Sequence, residues 1–193
     1  MRESDKDEII RAAILKAAEN LFQRWGLHKT TMEDIAREAG KGKSTLYYYY
    51  QSKEEIFDTV ITTAIDSIIN KAKDSTEGIP SAKGKIRNYI VTTLMELKHY
   101  GSAFTIVRTE IKRNTGFLEK LRKLYEFRIQ GHIREILVLG MATNEYTFAD
   151  ENELTLAVTT TVGLLHAMEL YLLLENDDSA VIEMAAKLIA NGI

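Results

Sequence analysis

The stretch Thr30-Thr-Met-Glu-Asp-Ile-Ala-Arg-Glu-Ala-Gly40, followed after two residues by Lys43-Ser-Thr-Leu-Tyr-Tyr-Tyr-Tyr50, decides the fold class. Thr31-Met-Glu-Asp34 has the form of a capping box ahead of the apolar residues Ile35, Ala36 and Ala39, so a short helix starts there. Gly40 stops it. A second short helix then runs from Lys43 or Ser44 to Tyr50. Ala36 and Ala39 are small enough to let the two helices approach closely. Two short helices joined at Gly40–Lys43 and preceded by a packing helix make a helix-turn-helix layout, whose second helix presents its start to the DNA major groove. Four consecutive tyrosines span every face of a helix, so they cannot all enter one core. At least one must face solvent or a ligand.

Helices extend in both directions from this motif. Ile10, Ala13, Ile14, Ala17, Leu21 and Phe22 follow helical spacing over about residues 7–25, with Asp7 and Glu8 near the start and Gly26 at the end. From Lys53 onward Phe57, Val60, Ile61, Ala64, Ile65, Ile68, Ile69 and Ala72 form one continuous buried face, broken by Gly78 and by Pro80, the only proline. Further helices are expected over about residues 82–100, 102–113 and 116–140, from Asp150 as N-cap to about 175, and over about 178–190. The expectation is all-α, with about nine helices and no convincing strand.

Composition narrows the function classes. There is no cysteine, which excludes disulfides, thiolate zinc sites and cysteine redox sensing. The start, MRESDKDEII, lacks the apolar core of a signal peptide, so a cytoplasmic location is expected. Ala157–Leu174 is apolar but contains Thr159, Thr160, Thr161, His166 and Glu169, which argue for a helix buried in protein rather than in membrane. The formal net charge of −3 looks unsuited to nucleic acid, yet affinity for phosphates depends on where the cations sit. Between Lys41 and Lys53 there are three lysines and no acid.

The residues Thr30–Gly40, Lys43–Tyr50 and Ser52-Lys-Glu-Glu-Ile-Phe57 closely resemble the signature of the TetR family of transcriptional regulators. The family pattern is a Thr ahead of Ile-Ala, an Ala-Gly turn, a Thr-x-Tyr-x-x-aromatic recognition helix and Ser-Lys-Glu opening the fourth helix. The resemblance covers about residues 7–60. Lys41-Gly42 departs from the usual small apolar residue after Ala-Gly, and Tyr50 replaces the commoner Phe. The resemblance implies DNA contacts from Thr31, Lys43, Ser44, Thr45, Tyr47, Tyr48 and Tyr49, and a phosphate contact from Lys53. Leu46 and Tyr50 read as packing residues. It implies a DNA-binding domain over residues 1–52 (motif about 31–50) and a helical effector-binding and dimerisation domain over 53–193.

The implied partners are a double-stranded, palindromic DNA operator, a second copy of the chain and a small-molecule effector of unknown identity, with no membrane. Met95, His99, Phe104, Tyr125, Phe127, Met141 and His166 are candidate effector-pocket residues. Leu164, Leu165, Met168, Leu172, Ile182, Ala185 and Ile189 are candidates for the dimer interface, with intrachain core as the competing role. His28, His99, His132 and His166 lack metal-site spacing, although His166 and Glu169 lie three apart on a helix. No nucleophile–base motif or phosphate loop is visible, so neither catalysis, cofactor nor metal is expected. A ligand-responsive dimeric repressor is the leading reading; a protein-interaction module and a helical enzyme or carrier are the alternatives.

Overall fold

The computed structural model describes residues 3–100, 115–174 and 179–192, and every regular element among them is a helix. They are α1 (Glu3–Lys29), α2 (Met32–Glu38), α3 (Lys43–Tyr49), α4 (Lys53–Asp74), α5 (Ala82–His99), α6 (Thr115–Ala142), α7 (Glu151–Leu174) and α8 (Ser179–Gly192). The all-α expectation holds. The helix expected at 102–113 and the candidate Phe104 lie outside the described residues.

Contacts group the chain into two compact units that divide inside α4, between Ala64 and Ile65. A boundary at 52–53 would fall just before α4 begins. The continuous apolar face of α4 explains the later division: Phe57, Val60 and Ile61 are buried in the first unit, and Ile68, Ile69 and Ala72 in the second.

In the first unit, α1 loses helical geometry at Gly26 (φ +78°, ψ 164°), where the sequence predicts its end. Ile14, Ala18, Leu21 and Phe22 on α1 are buried with Ile35, Leu46 and Ile56, and Phe22 meets Phe57 edge-to-face with centroids 5.6 Å apart. The turn after α2 is a Schellman motif. Gly40 N donates to Arg37 O (3.1 Å) and Lys41 N to Ala36 O (2.9 Å), with Gly40 in the left-handed region at φ +63°.

In the second unit, α5 packs on α6, α7 and α8, and α7 packs on α6 and α8. Glu145 anchors the start of α5: its carboxylate accepts from Ala82 N (2.8 Å) and Lys83 N (3.1 Å), and these bonds hold it below the usual carboxylate range. Asp150 Oδ1 accepts from Asn152 N and Glu153 N, both 2.9 Å, as the N-cap expected from sequence. Gly140 is required by a close approach, since a Cβ there would lie 2.2 Å from Tyr146 Cδ2. The Tyr146 hydroxyl in turn donates to Ala190 O (3.0 Å) on α8.

Candidate functional site

The helix-turn-helix is built from its caps inward. Thr31 Oγ1 accepts from Asp34 N (3.2 Å), and Asp34 Oδ2 accepts from Thr31 N (3.2 Å) and Thr31 Oγ1 (2.6 Å), completing the capping box. Thr31 therefore stays at the exposed start of α2 with its hydroxyl proton engaged. The α3 helix begins after Gly42, which provides no side-chain cap.

The four tyrosines divide evenly. Tyr48 is 77% exposed and Tyr47 39%, whereas Tyr49 and Tyr50 are buried. Leu46 is fully buried, so one face of α3 packs inward. Ser44, Tyr47 and Tyr48 face solvent, and Thr45 is half-buried. Leu46 and Tyr50 take the packing places expected of them.

Three candidates hold partners within the protein. The Tyr49 hydroxyl donates to Asp7 Oδ1 (2.5 Å) on α1, and the Arg11 guanidinium lies 5.1 Å from its ring centroid. The bond to Asp7 pushes the phenol up to about 12. Tyr49 thus fastens α3 to α1 instead of facing outward. The Lys53 ammonium donates to the carbonyls of Leu27 (2.9 Å), His28 (3.1 Å) and Thr30 (2.9 Å). All three bonds serve the end of α1, where helix carbonyls attract a cation, so in this structure Lys53 braces that end. Lys43 forms an ion pair with Glu33; hydrogen bonding within the pair raises the lysine and lowers the acid. The acid-free stretch of sequence is therefore not an acid-free surface, because α2 returns Glu33 to it.

The effector candidates separate by helix face. Met95, His99, Phe127 and Met141 are exposed, Phe127 to 85%, so within the described residues they line no interior. Tyr125 and His166 are buried together, edge-to-face with centroids 5.7 Å apart. The Tyr125 hydroxyl donates to Glu169 Oε2 (3.2 Å). Burial pushes the Glu169 carboxyl up to about 7, against the opposing pull of Tyr125 and Arg122. Burial likewise raises the Tyr89 and Tyr125 phenols and lowers His166. Tyr89 and Arg122 were not singled out in the sequence; Glu169, an acid on the most apolar helix and three residues from His166, was the available signal.

The dimer candidates also divide. Leu165, Leu172 and Ile182 are buried in their own chain, and Ile189, also buried, lies along a groove with the remaining candidates. Leu164, Met168 and Ala185 line an open groove of about 610 Å³ between α7 and α8. Leu156 and Leu188, 64% and 66% exposed, line the same groove and went unnoticed in the sequence. Glu151–Leu172 is long and apolar enough to cross a membrane by length and hydropathy.

A helix-turn-helix whose second helix has an outward polar and aromatic face is the layout with which DNA-binding proteins enter the major groove. Residues 14–60 match the model of the bacterial regulatory proteins of the tetR family. The HTH-type transcriptional regulator YfiR of Bacillus subtilis is 29% identical over 140 residues, covering 70% of this chain and 67% of that one. The HTH-type transcriptional repressor KstR2 of Rhodococcus jostii is 25% identical over 149 residues, covering 76% of this chain and 72% of that one. Coverage of such relatives falls as low as 34% of their length. In fold, the chain is similar to the transcriptional regulator FadR from Bacillus subtilis in complex with stearoyl-CoA (TM-score 0.72, 19% identity, 94% of this chain and 98% of that one). The likeness to the bacterial regulatory proteins of the tetR family is thus shown over residues 14–60, and the fold of the whole chain agrees with it.

Proposed function

We propose that this regulator is a sequence-specific, dimeric DNA-binding repressor whose hold on its operator is changed by a small molecule. The observation that carries the DNA reading is the outward face of α3. Ser44, Tyr47 and Tyr48 are exposed with Thr45 beside them, on a helix fixed from behind by Leu46, Tyr49 and Tyr50. Small hydroxyls suit base edges and tyrosine hydroxyls suit phosphate oxygens. Thr31 and Lys43 flank this face. The domain roles follow: residues 1–52 read DNA, and 53–193 sense and dimerise in the cytoplasm.

Dimerisation is supported by the apolar groove around Leu156, Leu164 and Leu188, which a second copy would cover through a self-complementary contact. Such a dimer reads a palindromic site. Sensing is supported by the fold shared with FadR, whose solved structure holds stearoyl-CoA, and by the buried Tyr125–His166–Glu169 group. Repression is supported by relatives such as KstR2.

The test is selection of bound DNA from a random pool, followed by anisotropy titration of the selected site. A palindromic consensus is expected, and Tyr48→Ala should weaken its binding roughly tenfold, the scale of one good interface contact. Recovery of no consensus, or unchanged affinity in Tyr48→Ala, would overturn the assignment of α3 as the reading element.

A further inference from the structure

Three side chains of the second unit each hold a polar atom shielded from solvent and without a hydrogen-bond partner among the described residues. They are Tyr89 Oη on α5, Arg122 Nε on α6 and His166 Nε2 on α7. Tyr89 is 0% and His166 7% exposed. Leaving such a group unpaired is costly, more so when it is charged, so native interiors keep few of them.

These three form one neighbourhood. Glu169 lies within electrostatic reach of Tyr89, Tyr125 and Arg122. Arg122 reaches His166, and the Tyr125 ring joins His166 to Glu169. One helical turn along the same faces sit Ile129, Val162 and Leu165, all buried, so the surroundings are apolar.

The chemistry of the orphaned atoms selects the ligand. Arg122 Nε can only donate, and Tyr89 and His166 are both able to donate. A single carbonyl oxygen offers two lone pairs, too few for three donors, whereas a carboxylate offers about four. The guanidinium adds charge assistance that a neutral ligand would forgo.

We propose that Tyr89, Arg122 and His166 form the polar end of an effector site that takes an apolar small molecule carrying one carboxylate. The proposal rests on the ligand-responsive reading above for its regulatory meaning. The groups facing Glu169 are Tyr89 from α5 and Arg122 and Tyr125 from α6. Arg128 reaches Tyr89, while Glu126 reaches Tyr125 and His166. A ligand carboxylate placed here repels ionised Glu169, so it binds the protonated form. Burial already pushes that carboxyl up to about 7. Affinity is therefore highest below pH 7 and falls as pH rises, approaching tenfold per unit for one linked proton.

The test is calorimetric titration of the full chain with benzoate and straight-chain carboxylates of about six to sixteen carbons, each beside its methyl ester, from about pH 6 to 8.5. At least one carboxylate should bind, with its ester roughly tenfold weaker or more. Glu169→Gln should flatten the pH slope, leaving only what His166 contributes, and Tyr89→Phe should weaken binding while its melting temperature is kept or raised. Absence of binding by every carboxylate, equal binding of acid and ester, or a slope unchanged by Glu169→Gln would overturn the proposal. Carboxylates that bind here without changing operator affinity would instead break the ligand-responsive reading and leave the site standing. Release of DNA by a molecule indifferent to Tyr89→Phe and Glu169→Gln would do the reverse.

Discussion

Tyr49 in the first unit and Tyr89 in the second are both buried tyrosines on helices, and they end differently. The Tyr49 hydroxyl finds Asp7 at 2.5 Å, while the Tyr89 hydroxyl has no partner among the described residues. The same contrast holds for the cations. Lys53 spends its three protons on three carbonyls, whereas Arg122 keeps a shielded Nε unpaired. A unit that presents an outward face to DNA gains from an interior whose hydrogen bonds are complete, because that fixes the helix carrying the face. On the proposed reading, the second unit receives a ligand inside and leaves polar groups for that ligand to satisfy.

The contrast can be broken by substitution. The largest effect is expected from Lys53→Met, which strips the carbonyls of Leu27, His28 and Thr30 of one shared cation. Allowing for its partial exposure, the loss is about 2 kcal/mol of stability, measured by urea unfolding followed through Trp25. A full-strength fold with only a reduced salt dependence of DNA binding would restore the phosphate role expected from sequence. Next comes the matched pair of hydroxyl deletions. Tyr49→Phe should cost about 1 kcal/mol by removing a made bond, and Tyr89→Phe should cost nothing or stabilise, since its bond is unmade. Thermal melts of both variants test this, and equal destabilisation would erase the difference between the two units. The smallest effect is expected from Glu33→Gln. It frees Lys43 from an exposed ion pair, so operator affinity should rise about threefold at low salt and return toward wild type at high salt. Unchanged affinity at low salt would show that Lys43 does not meet the DNA.

Much of this was legible in the sequence, and the misses have physical reasons. The helix stops, the capping box at Thr31 and the Asp150 cap are local, so residue type and spacing suffice to find them. The division of the tyrosine run follows from helical geometry, but which tyrosine turns inward depends on Asp7, forty-two residues away. The direction of Lys53 depends on where α1 ends in space. The effector candidates separate because they were chosen by residue type instead of by face: Tyr125 and His166 are buried, while Met95, Phe127 and Met141 are exposed. Leu121, Tyr125, Ile129, Ile133 and Ile136 mark the inward side of α6, and all are buried. Phe127 lies about half a turn from Tyr125 and must point away, so its exposure could have been read directly. On α7, Leu164 is exposed while its neighbour Leu165 is buried, and a uniformly apolar helix gives no period by which to tell them apart.

The turn between α2 and α3 has a consequence for how this regulator can diverge. Its hydrogen bonds run between backbone groups at Ala36, Arg37, Gly40 and Lys41, and only Gly40 is held to a special backbone conformation. Position 41 is thus unconstrained by the geometry of the loop, although it adjoins the recognition helix. Mutational drift there can add or remove a positive charge beside the DNA while the scaffold stays the same. On the proposed reading, Lys41 is a dial for overall grip, set separately from the α3 residues that would choose the sequence.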